Sequence, residues 1–231
     1  MTPSYWLFVG LTLTLTGFLG YATFSTARLL QSWRPEGNLM LMPGENLLRV
    51  GLIGACWLLG RLSGLGSGSL GWGADGWPVQ LGWGVGIGLG VAFFFVAATR
   101  WLVGRTGSRF YSDQIIDLIV PTSKRELVWV AAAFVPAVLL EELLFRSLLL
   151  GGLAPILPVG WLLIGFGVIF GLLHSPQGVW GMAGAGLAGM LFGVLFLWQG
   201  SLILPVVAHY VANMAQIVVA MKDRTGEGVN G

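Results

Sequence analysis

The chain has 231 residues, of which 55% are hydrophobic and only 10% charged, where soluble domains carry roughly a quarter charged residues. Its net charge of +2 is small and its basic residues are scattered, which excludes a nucleic-acid surface. The one cysteine, Cys56, excludes a disulfide framework and a cysteine-ligated metal centre.

A helical span of the bilayer needs about 20 apolar residues, and hydropathy predicts seven such helices in an all-α, polytopic transmembrane bundle. The first, Tyr5 to Phe24, has no basic run before it and reads as a retained span rather than a signal peptide. The second, Leu47 to Ser63, is the weakest because Arg49 and Arg61 bracket its apolar run. Gly64 to Trp77 is rich in Gly and Ser and reads as a loop. The third helix, Gln80 to Gly104, leads into a basic loop, and the fourth runs from Leu127 to Leu150. Gly151 to Pro158 breaks the chain, and the fifth helix, Val159 to His174, stops before Ser175-Pro176. The sixth, Gly178 to Trp198, repeats small residues at Gly181, Ala185, Gly189 and Gly193, a pattern for close helix packing. The seventh runs from Leu202 to Met221. Pro136 and Pro205 are expected to kink the fourth and seventh helices.

The charge distribution orients this bundle. With the N-terminus outside, Arg28, Arg34, Arg105, Arg109, Lys124, Arg125, Lys222 and Arg224 all face the cytoplasm, with Arg61 as the exception. The expectation is an N-out, C-in protein of a bacterial plasma membrane or a similar membrane. Residues 1–120 form N-terminal transmembrane helices with a cytoplasmic loop, 121–221 a catalytic core, and 222–231 a short tail. Trp6, Trp33, Trp77, Trp101 and Trp198 near the predicted ends suit interfacial anchors.

Ionisable groups inside a bilayer are costly and usually mark function. Here they are Glu141, Glu142 and Arg146 on the fourth helix, His174 at the end of the fifth, and His209 with Asn213 on the seventh. Glu142 and Arg146 are four apart and share a helix face as an ion pair. Glu141 is rotated about 100° away, so the arginine leaves it available. Counting from the turn near Leu157-Pro158 puts Glu141 and His174 at similar depth, about 24 Å from the outer turn. His209 follows the turn at Ser201 closely and is expected higher in the bilayer.

Singly, these groups have plain structural readings: a neutralised pair, interhelical hydrogen-bond glue, and a histidine at a helix end. Together on three helices, they point to one shared site. A carboxylate and an imidazole can hold and deprotonate a water, while a second imidazole and an amide can donate to an oxyanion. No serine or cysteine nucleophile is placed beside a base.

At these residues the sequence resembles the CPBP family, which includes type II CAAX prenyl endopeptidases and Abi-like proteins. EExxxR matches Glu141, Glu142 and Arg146; FxxxH matches Phe170 and His174; HxxxN matches His209 and Asn213. The resemblance covers about Val128 to Val219 and implies an intramembrane protease, glutamate-dependent or metal-dependent, acting on a membrane-associated peptide or protein. By motif position, Glu141 and His174 activate the water, His209 and Asn213 stabilise the oxyanion, and Glu142 and Arg146 support them. Glu141, His174 and His209 also form a zinc-type set of two histidines and a carboxylate, so a divalent metal such as zinc and a metal-free water both stay open. The expected partners are membrane lipids and the substrate, with no nucleic acid. The alternative is a catalytically silent scaffold or bacteriocin-immunity-type factor of the same fold. A small proton-coupled transporter lacks the matched broken repeats it needs.

Overall fold

A chain crossing hydrocarbon must satisfy its backbone polar groups internally, which favours helices. In the computed structural model, which describes residues 1–33 and 35–227, helices dominate and the β-type pairing among the described residues is a single bridge between Trp72 and Ser201. Arg34, one of the basic loop residues, and residues 228–231 of the expected tail lie outside the described residues. The helices are α1 (Pro3–Leu29), α2 (Pro43–Leu62), α3 (Trp77–Thr106), a short α4 (Gln114–Ile119), α5 (Lys124–Glu142), α6 (Val159–Leu173), α7 (Gly178–Gln199) and α8 (Ile203–Glu227). All seven expected helices are present, and α4 is an added element within the basic loop.

Among the described residues, five helical segments are long and apolar enough to cross a membrane: those beginning at Pro3, Trp77, Lys124, Ser175 and Ile203. Charges at Glu45, Arg49 and Arg61 interrupt α2, while α6 has 15 residues, about 22 Å of helix against a core of about 30 Å. This short helix ends at His174. The distribution of side chains reverses that of a soluble protein. Phe93 and Trp161 are 78% and 74% exposed, whereas Glu142 is 0% and Arg146 2% exposed. Trp6, Trp77, Trp101 and Trp198 are also exposed, as anchors toward lipid should be. The protein is an integral membrane protein.

Local chemistry explains where α5 begins and how it ends. Ser123 caps its first turn by accepting from the Glu126 N–H at 3.1 Å, and Glu126 in return accepts from the Thr122 N–H at 2.8 Å. Directly after Glu142 the helix widens into a π-helical stretch, Leu143–Gly151, and every residue of that stretch is buried. Wide turns of this kind are rare and occur frequently at functional sites.

Two packing contacts fix the neighbours of this core. Glycines let α3 lie directly on α8: a Cβ at Gly84 would stand 2.7 Å from the Val207 Cβ, and one at Gly88 2.6 Å from the Ala208 carbonyl. On the other side, α6 meets α7 at Gly171, where a Cβ would stand 2.6 Å from the Met182 carbonyl. The expected kink at Pro205 is corrected: this residue is third in α8, where its missing N–H is one that no helical carbonyl would meet. Pro136 does lie inside α5.

Candidate active site

The last regular turn of α5 ends in two adjacent carboxylates with different surroundings. Glu142 is fully buried, and its Oε1 lies 3.1 Å from Arg146 Nη1 and 2.7 Å from His209 Nδ1. Arg146 Nη2 donates to the Gly189 carbonyl of α7 at 3.0 Å, and the guanidinium carbon sits 4.9 Å from the Phe170 ring centre and 5.6 Å from that of Phe192. The expected Glu142–Arg146 pair is therefore present, and it ties α5 to α7 and α8. Glu141 takes the other face, with its side chain 38% exposed and 3.7 Å from His209 Nε2.

The hydrogen bonds assign the imidazole tautomers. An ionised Glu142 only accepts, so His209 Nδ1 carries the proton and Nε2 faces Glu141. His174 Nδ1 lies 2.8 Å from the Phe170 carbonyl, which also only accepts, so its proton is on Nδ1 and its Nε2 lone pair is free. Both rings are held by aromatic packing. Phe192 stacks on His209 at 4.9 Å and 24°, and Phe170 packs on His174 at 4.7 Å and 39°.

Glu141, His174, His209 and Asn213 all line one cavity of about 220 Å³ between α3, α5, α6, α7 and α8. Asn213, one turn after His209, is half-buried, and its amide makes no hydrogen bond among the described residues. Tyr111 stands in the same lining; burial, then the carboxylates of Asp113 and Asp117, push its phenol up, so it stays a neutral hydroxyl.

The higher position expected for His209 is corrected by the depth at which α8 starts. Ser201 is buried, its Oγ donates to the Gly73 carbonyl at 3.1 Å, and the Leu202 N–H donates to the Gly71 carbonyl at 2.9 Å. The Gly/Ser-rich segment from Gly64 to Gly76 thus lies over the α7–α8 turn instead of running free. Its Leu70 carbonyl accepts from Ser147 Oγ at 2.7 Å, and Trp72 Nε1 donates to the same hydroxyl at 2.9 Å. The turn is sunk into the bundle, and His209 reaches the two glutamates.

Sequence reasoning missed Phe192, Ser147 and Trp72, which carry no spacing signal. The glycines on α3 at positions 84 and 88 did carry one, a four-residue repeat of small side chains. As for a metal, among the described residues no three His, Cys, Asp or Glu side chains stand close enough to hold an ion. The set Glu141, His174 and His209 shares a cavity without meeting at ligand distances, so it does not fit a zinc centre, and no step below runs through a metal.

The C-terminal half of the molecule also answers to a known pattern. Residues 123–215 match the family model described as type II CAAX prenyl endopeptidase Rce1-like. No curated protein and no solved structure matches the chain. The matched segment contains Glu141, Glu142, Arg146, His174, His209 and Asn213, of which Glu141, His174, His209 and Asn213 line the cavity. Over that segment the chain is similar to the type II CAAX prenyl endopeptidases of the Rce1-like kind.

Proposed function

We propose that the protein hydrolyses a peptide bond of a membrane-associated substrate, using Glu141 as general base. The observation that carries this reading is the convergence of Glu141, His174, His209 and Asn213 on one cavity among apolar helices. A water held between the Glu141 carboxylate and His174 Nε2 loses a proton to Glu141 as its oxygen attacks the scissile carbonyl carbon. The negative charge moves to the carbonyl oxygen, where the Asn213 amide donates a hydrogen bond. His209 assists there from Nε2 only when doubly protonated, because its Nδ1–H is committed to Glu142. Collapse of the intermediate breaks the C–N bond, and Glu141 returns its proton to the leaving nitrogen. Water is consumed, and one acid and one amine result.

Glu142 and Arg146 are positioning residues in this scheme. They hold His209 in one tautomer and one orientation through a bond of 2.7 Å. The basic end of the bundle, with Arg105 and Lys124, is read as cytoplasmic, so cleavage takes place toward that face.

The test is cleavage of a library of lipid-anchored fluorescent peptides in proteoliposomes. Glu141→Gln should slow every cleaved member by about 10²–10⁴-fold while leaving the thermal unfolding of the protein unchanged. Undiminished cleavage by this variant would remove the mechanism. Absence of any cleavage, together with full biological complementation by Glu141→Gln, would favour the silent scaffold.

A further inference from the structure

The flank of α3 and α8 carries a groove that the proposed chemistry does not use. Gly84 faces Val207, Gly88 faces Val211 and Arg100 faces Asp223, one constant offset, so the two helices run parallel. Beyond the glycine contacts they leave a recess of about 460 Å³. Leu89, Val96 and Ala97 of α3 and Ala215 and Val219 of α8 form its apolar walls, and Arg100, Lys222 and Asp223 stand at its end. The three charged residues lie outside the segment matched by the family model. None of them lines the cavity around Glu141.

Depth sorts these groups. Helix α3 starts at Trp77, a residue suited to anchor at one interface. Leu89 lies about 18 Å and Arg100 about 34 Å along the helix from there, against a hydrocarbon core of about 30 Å. The groove therefore runs from near the midplane to the headgroup level, the reach of an acyl chain in one leaflet. Its polar end holds two cations and one carboxylate. Arg100 and Asp223 are exposed and 2.8 Å apart, and an exposed pair of this kind adds little to stability. Both bonds to Asp223 leave from Nη2, so the N–H groups of Nη1 and Nε can serve another acceptor. A phosphodiester supplies the single negative charge that this end calls for, with oxygens spaced for a guanidinium fork.

We propose that this groove binds one anionic phospholipid of the phosphatidylglycerol kind. One acyl chain lies between α3 and α8, and the phosphate takes the remaining N–H groups of Arg100, with Lys222 as a second cation. Asp223 is a positioning residue that holds the guanidinium across the end of the groove. Charge selects the headgroup: a choline would set its own cation beside Arg100 and Lys222. The apolar walls select a lipid over a soluble phosphate ester, which has no chain to cover them. The bound lipid fastens α3 to α8, the helix that carries His209 and Asn213, and its site is independent of the cleavage chemistry.

Counting bound lipid tests this. The full-length protein, freed of lipid in detergent, is titrated with phosphatidylglycerol or phosphatidylcholine of matched chains, and adducts are counted by native mass spectrometry. One phosphatidylglycerol should bind about tenfold tighter than phosphatidylcholine. Arg100→Gln combined with Asp223→Asn removes the fork with no change in net charge, and should abolish the preference. Arg105→Gln, which does remove a charge from the same end of α3, should leave it intact. Ala97→Phe fills the groove with every charge retained and should weaken both lipids about tenfold, the loss of about two buried methylenes. Arg100→Lys should keep part of the preference; complete loss there as well would trace the effect to folding and overturn the assignment. Equal binding of the two lipids, a preference that survives the paired Arg100 and Asp223 changes, or one that falls as far with Arg105→Gln would also overturn it. So would unchanged binding by Ala97→Phe. Glycerophosphoglycerol binding as tightly as the intact lipid would mean a plain phosphate site, and this too overturns the proposal.

Discussion

The N-terminal helices and the C-terminal core use apolar sequence for opposite purposes. In α1 and α3, 17% of the best spanning window is buried, against 44% for the segment from Lys124 to Gly151 and 39% for Ser175 to Gln199. The outer helices turn most of their apolar surface to lipid, and their neighbours matter at a few points only. The core turns inward and spends that burial on a charged cluster, Glu142, Arg146 and His209, that lipid could not tolerate. The difference teaches that hydropathy finds a span, while burial and polar partners decide what the span is for.

Substitutions should therefore hurt the core everywhere and the outer helices only at contact points. The largest effect is expected in the buried cluster. Arg146→Met leaves the Glu142 carboxylate without its guanidinium and should cost about 3–5 kcal/mol, read as thermal unfolding in detergent. Glu142→Gln added to Arg146→Met should recover much of that loss, because no unpaired charge is then buried. Second comes a contact between the two regions. Gly88→Leu overpacks α3 against the Ala208 carbonyl, beside His209, and should cost about 1–3 kcal/mol and lower kcat. Gly90→Leu, where a Cβ meets nothing within 4 Å, should do neither. Third, Trp72→Phe removes the bond to Ser147 and should cost about 1 kcal/mol. Smallest, Phe93→Leu on the lipid-facing side of α3 should stay within about 0.5 kcal/mol. If Phe93→Leu matched Arg146→Met, the contrast between the regions would be lost.

Much of this was legible in the sequence for a physical reason. Long apolar runs are forced on any chain that crosses lipid, so all seven helices could be found, and ionisable residues within them were few enough to stand out. The spacing of Glu142 and Arg146 gave their pairing, and the one-residue offset of Glu141 gave its separate face. Two features were not legible. The depth of His209 depends on the segment from Gly64 to Gly76 folding down over the α7–α8 turn, a long-range contact that no local pattern encodes. The widened turn from Leu143 to Gly151 carries no compositional signal that would distinguish it from regular helix.

The central claim is that Glu141 and His174, supplied by different helices, work on one water. A double-mutant cycle in cleavage of one library peptide tests it most directly, with Glu141→Gln, His174→Gln and the combination compared by kcat/KM. Residues that act as a unit give losses far from multiplicative, so the double variant should be hardly slower than Glu141→Gln alone. Losses that multiply fully would mean that the carboxylate and the imidazole serve separate steps or separate sites, and would contradict the account.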